Sequence, residues 1–311
     1  MRGLQLIPAD INLNFIDKRV IFIFFSAFLL VASVGVYVVQ GLNFGIDFKG
    51  GILIEVRTPK AADIGNMRDQ LSTLGLGEIA LQEFGQPTDI LIRIQRQEGS
   101  EEAQQAAINK VKETLGTDVE YRRTEFVGPK VSAELLWDGI MAVTLAIVAI
   151  LIYIWFRFEW QFGLGAVIAL THDVITTIGL FALFGFEFNL STVAAVLTIA
   201  GYSINDTVVV FDRVRENLRR YKKKPLPELL NQSINETLSR TVMTSVTTLI
   251  ALSALYFLGG AVIQDFSFAM IWGVLIGTYS SVCIAVPALL YMNIDRTRVA
   301  GSDEPKQGET A

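Results

Sequence analysis

Six apolar runs of about twenty residues or more alternate with polar stretches along the chain. A helix that crosses a bilayer needs roughly 20 mostly apolar residues, so the pattern predicts six transmembrane helices. We place them at residues 20–39, 135–156, 162–184, 190–211, 240–258 and 266–292. The first run is too long for the apolar core of a typical signal peptide, and no cleavage motif of small residues follows it. We therefore expect it to be retained as a span.

The longest polar stretch, residues 41–132, contains runs with strand periodicity and runs with helical spacing in the order βαββαβ. The strands are predicted at Ile52–Arg57, Ile79–Phe84, Asp89–Gln95 and Asp118–Val127, and the helices at Ala61–Leu74 and Ser100–Leu115. This order is typical of a ferredoxin-like α/β domain. A span at each end ties the predicted domain to the membrane.

Basic residues set the predicted orientation, since loops rich in Lys and Arg stay in the cytoplasm. They cluster at Lys18–Arg19, at Arg157, in 212–239 and at Arg296–Arg298, all on one side of the six spans. We therefore expect a cytoplasmic N-terminus at 1–19, a cytoplasmic loop at 212–239, a disordered cytoplasmic tail at 293–311 and the α/β domain outside. Contact of the basic loop with anionic lipid or with the cytosolic face of a partner stays open as an alternative.

Composition agrees with a membrane protein and excludes several kinds of site. Hydrophobic residues make up 51% of the 311 residues and charged residues only 18%, which is too apolar for an ordinary soluble domain. One His and one Cys cannot build a His/Cys metal cluster, and the lone thiol, Cys283, excludes an internal disulfide. No nucleotide-binding glycine motif is present, so we expect no nucleotide to drive this chain.

Asp206 is the strongest candidate for chemistry, because it lies within the fourth apolar run, about two helical turns before Asp212. An acid at such a depth costs roughly 2.5–3.5 kcal/mol on insertion scales. Its helix face is small and polar and should point into a bundle rather than at lipid. That face comprises Ser191, Ala195, Thr198, Tyr202 and Ser203. The pattern predicts a proton or ion site; the alternative is an acid wetted at the cytoplasmic edge.

Arg240 is the candidate counter-charge for Asp206, because both are predicted in the cytoplasmic half of the membrane. Helical spacing from Arg240 picks out a polar stripe in an otherwise aliphatic run. The stripe comprises Thr244, Thr247, Thr248 and Ala251. Moving a fixed cation toward or away from a carboxyl group changes how readily that group binds a proton, so the pair predicts a switch. The alternative is that Arg240 only anchors the helix at the cytoplasmic surface.

His172 and Asp173 are predicted near the middle of the third span, with Thr176 and Thr177 one turn further on. A second acid and the only histidine at this depth favour a buried polar relay. A structural hydrogen-bonded pair that orders helix packing is the alternative.

Two glycine patterns complete the set of motifs. Gly273 and Gly277 form a GxxxG in the last span, which permits close helix approach. The stretch Asn43–Gly51, NFGIDFKGG, leads into the first predicted strand. If that stretch is extended, Asp47 and Lys49 lie on the same side. The residues alone indicate turn chemistry here.

Four of these motifs together resemble the SecF family of the bacterial Sec protein-export system. They are NFGIDFKGG, the HD pair at 172–173, GYSINDTVVVFDRVREN from Gly201, and SINETLSRTVMTS from Ser233. The resemblance extends over residues 15–293. It implies half of a resistance–nodulation–division (RND) type bundle, six transmembrane helices with one external ferredoxin-like domain, in the bacterial cytoplasmic membrane.

The resemblance also implies the partners and the energy source. A SecF-like chain pairs with SecD, works beside the SecYEG channel, with YajC and YidC as further candidates, and acts on unfolded preprotein. The proton-motive force drives it, with no cofactor, no nucleic acid and no enzyme activity. By motif position, Asp206 would titrate protons with Arg240 as its partner, and Thr244, Asp173 and His172 would lie on the same pathway. Gly45, Asp47, Lys49, Gly50 and Gly51 would form the hinge of the external domain.

Two other functions stay open at this point. The polar residues could only specify assembly with SecD, as in a non-transporting scaffold. The chain could also be half of an RND-type small-molecule exporter, which its single small external domain makes less favourable.

Overall fold

The computed structural model describes residues 12–99, 101–259, 261–292 and 294. Six helices in this part of the chain are long and apolar enough to cross a membrane, which confirms the predicted fold class. The helices are α1 (Arg19–Gln40), α2 (Ile46–Lys49), α3 (Ile64–Ser72), α4 (Glu101–Leu115), α5 (Pro129–Arg157), α6 (Trp160–Phe184), α7 (Leu190–Arg220), α8 (Leu226–Leu258), α9 (Ala261–Ser280) and α10 (Val286–Ala288). The strands are β1 (Asn43–Phe44), β2 (Gly51–Arg57), β3 (Ile79–Phe84), β4 (Gln86–Ile94), β5 (Glu120–Val127) and β6 (Glu187–Phe188). The predicted disordered tail lies outside the described residues, apart from 294.

The external domain is one antiparallel sheet with the strand order β3-β4-β2-β5. With α3 and α4 as connections, this is the predicted ferredoxin-like arrangement. Alternate side chains of the strands point to one face, and on that face they pack against both helices. The centre of this core is fully buried and comprises Ile52, Ile54, Val56, Leu71, Ile90, Ile92 and Val111.

The second face of the sheet lies over the end of the helix bundle. Leu53 and Leu91 on this face are buried with Ile46 of α2. A cavity of about 100 Å³ separates the face from the start of α7 and of α9, and Glu187 and Asp265 line it from the bundle side. The domain is therefore packed against the bundle and not only tethered to it.

Helices α6, α7 and α9 form the centre of the bundle. Each of these three spans buries half or more of the residues in its most apolar stretch, whereas α1, α5 and α8 bury about a tenth or less. The predicted close approach at the GxxxG motif is confirmed. A Cβ atom at Gly273 would collide with Ile199 of α7, and one at Gly277 would lie 3.1 Å from the Cβ of Ser203.

The prediction that residues 212–239 form a loop is wrong, because most of this stretch is helical. Helix α7 continues to Arg220 and α8 begins at Leu226, so only five residues separate the two helices. Apolar side chains continue at helical spacing beyond the membrane-length run and pack the two extensions together. They comprise Val214, Leu218, Leu229, Leu230 and Ile234. Arg213 also pairs with Glu236 at 2.6 Å.

The last span is not a continuous α-helix. After α9 ends at Ser280, residues Ser281–Ala285 form a π-helical turn, and α10 and a short 3₁₀ turn follow. Pro287 lies just beyond this turn and has no N–H to continue the helical hydrogen bonding. Pro287 therefore accounts for an irregularity on its N-terminal side.

Candidate functional site

Asp206 lies inside the bundle and is 9% exposed. Its Oδ1 accepts a hydrogen bond from Thr241 Oγ1 of α8 at 2.8 Å. Its Oδ2 is buried and has no hydrogen-bond partner among the described residues. A buried acceptor without a partner carries a desolvation cost of about 1–3 kcal/mol, more when it is charged. A proton on the carboxyl group would remove that charge, so the geometry suits an acid that changes protonation.

The structure does not join Arg240 to Asp206 in an ion pair. Arg240 and Thr244 lie on the exposed face of α8, where Thr244 Oγ1 donates to the Arg240 carbonyl at 2.7 Å. The guanidinium is close enough to Asp206 to act on it electrostatically. Neither predicted α8 residue therefore contacts the acid directly.

The α8 face that meets Asp206 is a different stripe, which the sequence interpretation missed. It consists of Thr237, Thr241 and Ser245, all buried and spaced four residues apart. Ser245 Oγ and Thr278 Oγ1 of α9 are 2.6 Å apart. The sequence contains this four-residue spacing too, but the charge of Arg240 favours the neighbouring stripe. The register was wrong by one residue.

Asp173 lies on α6, is fully buried and has both oxygens hydrogen-bonded. Ser203 Oγ and Ser280 Oγ each donate to its Oδ2 at 2.6 Å. Its Oδ1 is 3.0 Å from His172 Nδ1. Unlike Asp206, Asp173 is held by three side chains. This arrangement suits a group that orders helix packing as well as one that relays protons.

His172 is buried beside Asp173, and its Nε2 has no hydrogen-bond partner in the described chain. Its ring lies 6.2 Å from that of Tyr279, whose hydroxyl is 2.8 Å from Ser26 Oγ of α1. Thr176 and Thr177 both donate to the Asp173 carbonyl, so they are satisfied within α6.

The external domain contacts the first residue of the Asp206 helix. Asp47 Oδ2 accepts a hydrogen bond from the Leu190 backbone N–H at 2.9 Å. Strand β1 pairs in parallel with β6, directly before α7, and the Gly45 N–H donates to the Phe188 carbonyl at 3.0 Å. An acid at a helix N-terminus interacts favourably with the helix dipole. Asp47 therefore ties the glycine motif to α7.

An ion pair reinforces this junction. Arg93 of β4 lies 3.2 Å from Glu187 of β6, and both side chains are 14% exposed. Arg93 also donates to Asn43 Oδ1 at 2.7 Å. Burial raises the pKa of Glu187 above its ordinary value, and the nearby Asp47 and Asp265 raise it further, against the opposing effect of Arg93. Nothing in the sequence pattern links these two positions.

The glycines of the motif allow the chain to turn closely beside its neighbours. Gly50 and Gly51 have positive φ angles of 70° and 127°, which L side chains rarely adopt. A Cβ atom at Gly45 would collide with Glu187 Oε1. The extended geometry considered for this stretch is wrong, because Ile46–Lys49 is a helical turn. Lys49 is exposed, so it does not share the junction with Asp47.

No metal centre is found in the described residues, since no group of three or more His, Cys, Asp or Glu side chains there could hold an ion. Cys283 is a buried free thiol in the π-helical turn.

Comparison with known proteins gives two family matches. The family described as "Protein export membrane protein SecD/SecF, C-terminal" matches residues 107–295, and the SecD/SecF GG motif matches residues 38–61. The chain is 48% identical over 310 residues to the protein translocase subunit SecF of Rhodobacter capsulatus, covering 95% of this chain and 93% of that protein. It is 47% identical over 293 residues to the SecF subunit of Rickettsia rickettsii, covering 92% and 94%.

Two solved structures of SecDF are also similar. SecDF from Thermus thermophilus, described as a translocon-associated membrane protein, matches with a TM-score of 0.82 at 36% identity, over 92% of this chain. SecDF in a form described as super-membrane-facing matches with a TM-score of 0.67 at 35% identity, over 91% of this chain. This chain spans 39% of each SecDF chain. The motifs, the fold and these relatives agree: the chain belongs to the SecF family of protein translocase subunits.

Proposed function

We propose that this chain couples the proton-motive force to late-stage translocation of unfolded polypeptide across the bacterial cytoplasmic membrane. It would do so as the partner of SecD, beside the SecYEG channel, with YajC and YidC as further neighbours. The observation that carries the proposal is the position of Asp206. Its Oδ2 is buried without a hydrogen-bond partner in the described chain, on the helix whose first residue is bound by Asp47 of the external domain.

Protonation of Asp206 is the proposed trigger. A change of charge on this side chain alters its attraction to Thr241 and its electrostatic interaction with Arg240. Both residues lie on α8, so the α7–α8 contact changes. Moving one charge through 100 mV supplies about 2.3 kcal/mol, which is within the roughly 1–3 kcal/mol typical of coupling between distant sites. The proton gradient is therefore comparable in size to such a coupling energy, and we propose it as the energy source.

Motion would reach the external domain through the N-terminus of α7. The hydrogen bond from Leu190 to Asp47 and the ion pair between Arg93 and Glu187 both lie at that end. At nearly equal identity and coverage, the TM-scores of the two SecDF structures against this chain differ, 0.82 against 0.67. Those two structures therefore differ from each other in arrangement.

A SecD partner accounts for the outward face of α8. Arg240, Thr244 and Thr247 are exposed on a helix that is apolar enough to span a membrane. Polar groups inside a bilayer are expected to face protein rather than lipid. A homologous second half would cover this face. We place both termini in the cytoplasm and the α/β domain outside, because the Lys and Arg residues then lie on the inner side.

The test is an export assay in membrane vesicles with and without a proton gradient. Asp206→Asn is expected to abolish the gradient-dependent part of preprotein export while the complex with SecD still forms. Asp212→Asn is the matched control, because Asp212 lies on the same helix but is exposed and paired with Arg157. Gradient-dependent export at the parental level in Asp206→Asn would contradict the proposal.

A scaffold function is the second candidate, and the geometry of Asp173 favours it. Three side chains satisfy this acid, as expected of a group that orders helix packing. If the chain is a scaffold, Asp206→Asn would lower the amount of SecD complex that is recovered. The gradient dependence of export by the remaining complex would not change. Co-purification with SecD separates the two functions.

A further inference from the structure

Two consecutive serines lie where α9 passes into the π-helical turn, Ser280 as the last residue of α9 and Ser281 as the first of the turn, and they contact two different helices. Ser280 Oγ donates to Asp173 Oδ2 of α6 at 2.6 Å. Ser281 Oγ lies 2.8 Å from Thr207 Oγ1 of α7 and donates to the Ser203 carbonyl at 3.4 Å. Both serines are fully buried.

The backbone of the turn is held from two directions. Pro287 cannot donate a hydrogen bond to the Cys283 carbonyl four residues back, which disfavours a regular α-helix there. Helix α6 also packs closely on the turn, since a Cβ atom at Gly165 would lie 3.0 Å from the Ala285 carbonyl oxygen. π-helical turns inside longer helices occur frequently at functional sites. This one lies beside both intramembrane acids.

The serine pair connects the surroundings of the two acids. Ser203 donates to Asp173 through its hydroxyl and accepts from Ser281 through its carbonyl. Thr207, the other contact of Ser281, is the residue next to Asp206. A path of hydroxyl and carbonyl groups thus runs from Asp173 to the segment of α7 that carries Asp206.

The charged and titratable groups around this path come from α6, α7, α8 and the last span. Asp173 and His172 belong to α6, Asp206 to α7 and Arg240 to α8. Tyr279 and Cys283 belong to the segment that carries the serines.

We propose that Ser280 and Ser281 are positioning residues that couple Asp173 to Asp206, so that a change in protonation of one acid changes the hydrogen bonding around the other. This inference rests on the function proposed above. Ser280 ends α9 and Ser281 begins the π-helical turn, so the change of helix type falls between the two hydroxyls. In a regular α-helix, neighbouring side chains point about 100° apart.

The first experiment compares Ser281→Ala and Ser280→Ala with Ser267→Ala in the assembled translocase. Ser267 is a matched control on α9, because it is fully buried and its hydroxyl has no partner in the described chain. Each test variant is expected to lower the gradient-dependent part of export about threefold to tenfold, the effect of one lost hydrogen bond. Gradient-independent export is expected to stay unchanged, and Ser281→Thr, which keeps a hydroxyl, is expected to recover most of the loss.

A spectroscopic readout separates coupling from packing. Infrared difference spectra recorded between two pH values on the purified complex report the protonated carboxyl groups. The band lost in Asp206→Asn is expected to shift in Ser281→Ala and in Ser280→Ala, but not in Ser267→Ala. If one alanine variant does not accumulate, the other provides the same comparison.

The outcomes distinguish this inference from the proposed function. If Asp206→Asn loses the gradient dependence while both serine variants match Ser267→Ala in export and in spectrum, the serine coupling is wrong and the proposed function stands. If Asp206→Asn keeps the parental gradient dependence, both are wrong.

Discussion

Asp47 accepts a hydrogen bond from the backbone N–H of Leu190 at 2.9 Å. One residue follows the first transmembrane helix, and the other begins the helix that carries Asp206. The contact gives the external domain a direct hold on the helix with the buried acid. This hydrogen bond is where we expect the proposed coupling between the domain and the membrane helices to act.

Removing the Asp47 carboxylate should loosen this junction. Asp47→Ala is expected to destabilise the contact by roughly 1.5–3 kcal/mol, the range for hydrogen bonds to charged groups. Cysteines placed at Phe44 and Phe188, which are paired across β1 and β6, should then cross-link more slowly. Asp69→Ala is the control, because Asp69 is exposed on α3. Equal cross-linking rates in both variants would show that Asp47 does not hold the domain.

Gly45 and Glu187 should behave as one unit. A Cβ atom at Gly45 would displace the Glu187 side chain that packs against it, so Gly45→Ala and Glu187→Ala are expected to slow cross-linking to a similar extent. The double variant should lose little more than either single one, because substitutions at a shared contact are not additive. Fully additive effects would argue against this shared contact.

The same junction should respond to pH. Burial raises the pKa of Glu187 in the docked arrangement, so docking takes up a proton in the range between the ordinary carboxyl pKa and the raised one. The contribution of Glu187 to docking is therefore complete below the ordinary value and is lost as pH rises through the raised value. Cross-linking of the Phe44 and Phe188 positions should increase on acidification, and Glu187→Gln should remove that dependence. A pH profile that Glu187→Gln leaves unchanged would exclude this carboxyl as the cause.

Thr241 and Thr244 lie less than one helical turn apart on α8, but replacing each by valine should affect export very differently. Thr241→Val removes the hydrogen bond to Asp206 Oδ1 and is expected to lower gradient-dependent export about threefold to tenfold. Thr244→Val removes only a bond to the backbone of its own helix, so it should leave the coupling to Asp206 intact in the same assay. A larger loss of export in Thr244→Val than in Thr241→Val would support the stripe that begins at Arg240 as the α8 face that acts on Asp206.

The six membrane-length helices and the buried acid were accessible from the sequence because they depend on local composition. Each apolar run is long enough to span a bilayer by itself, and a carboxylate at Asp206 is conspicuous within one. The βαββαβ order was accessible for the same reason, since strand and helix periodicities are local patterns. What depends on one segment alone could be predicted.

The rest depends on which faces of the elements meet. Thr241 rather than Arg240 faces Asp206 because of the rotation of α8 against α7, which spacing alone does not specify. The ion pair between Arg93 and Glu187 joins positions far apart in the chain. The extension of α7 to Arg220 was not predicted, because the apolar run that marks a membrane span stops at the first charged residues. Apolar residues at helical spacing nevertheless continue beyond that point and pack against α8.

Proton flux through the assembled translocase tests the central claim most directly. In proteoliposomes that contain this chain with SecD and SecYEG, a pH-sensitive dye in the lumen should report flux during export by the parent. We predict that Asp206→Asn abolishes that flux and that Asp212→Asn retains it. Parental flux in Asp206→Asn would contradict the assignment of the buried carboxyl as the coupling site.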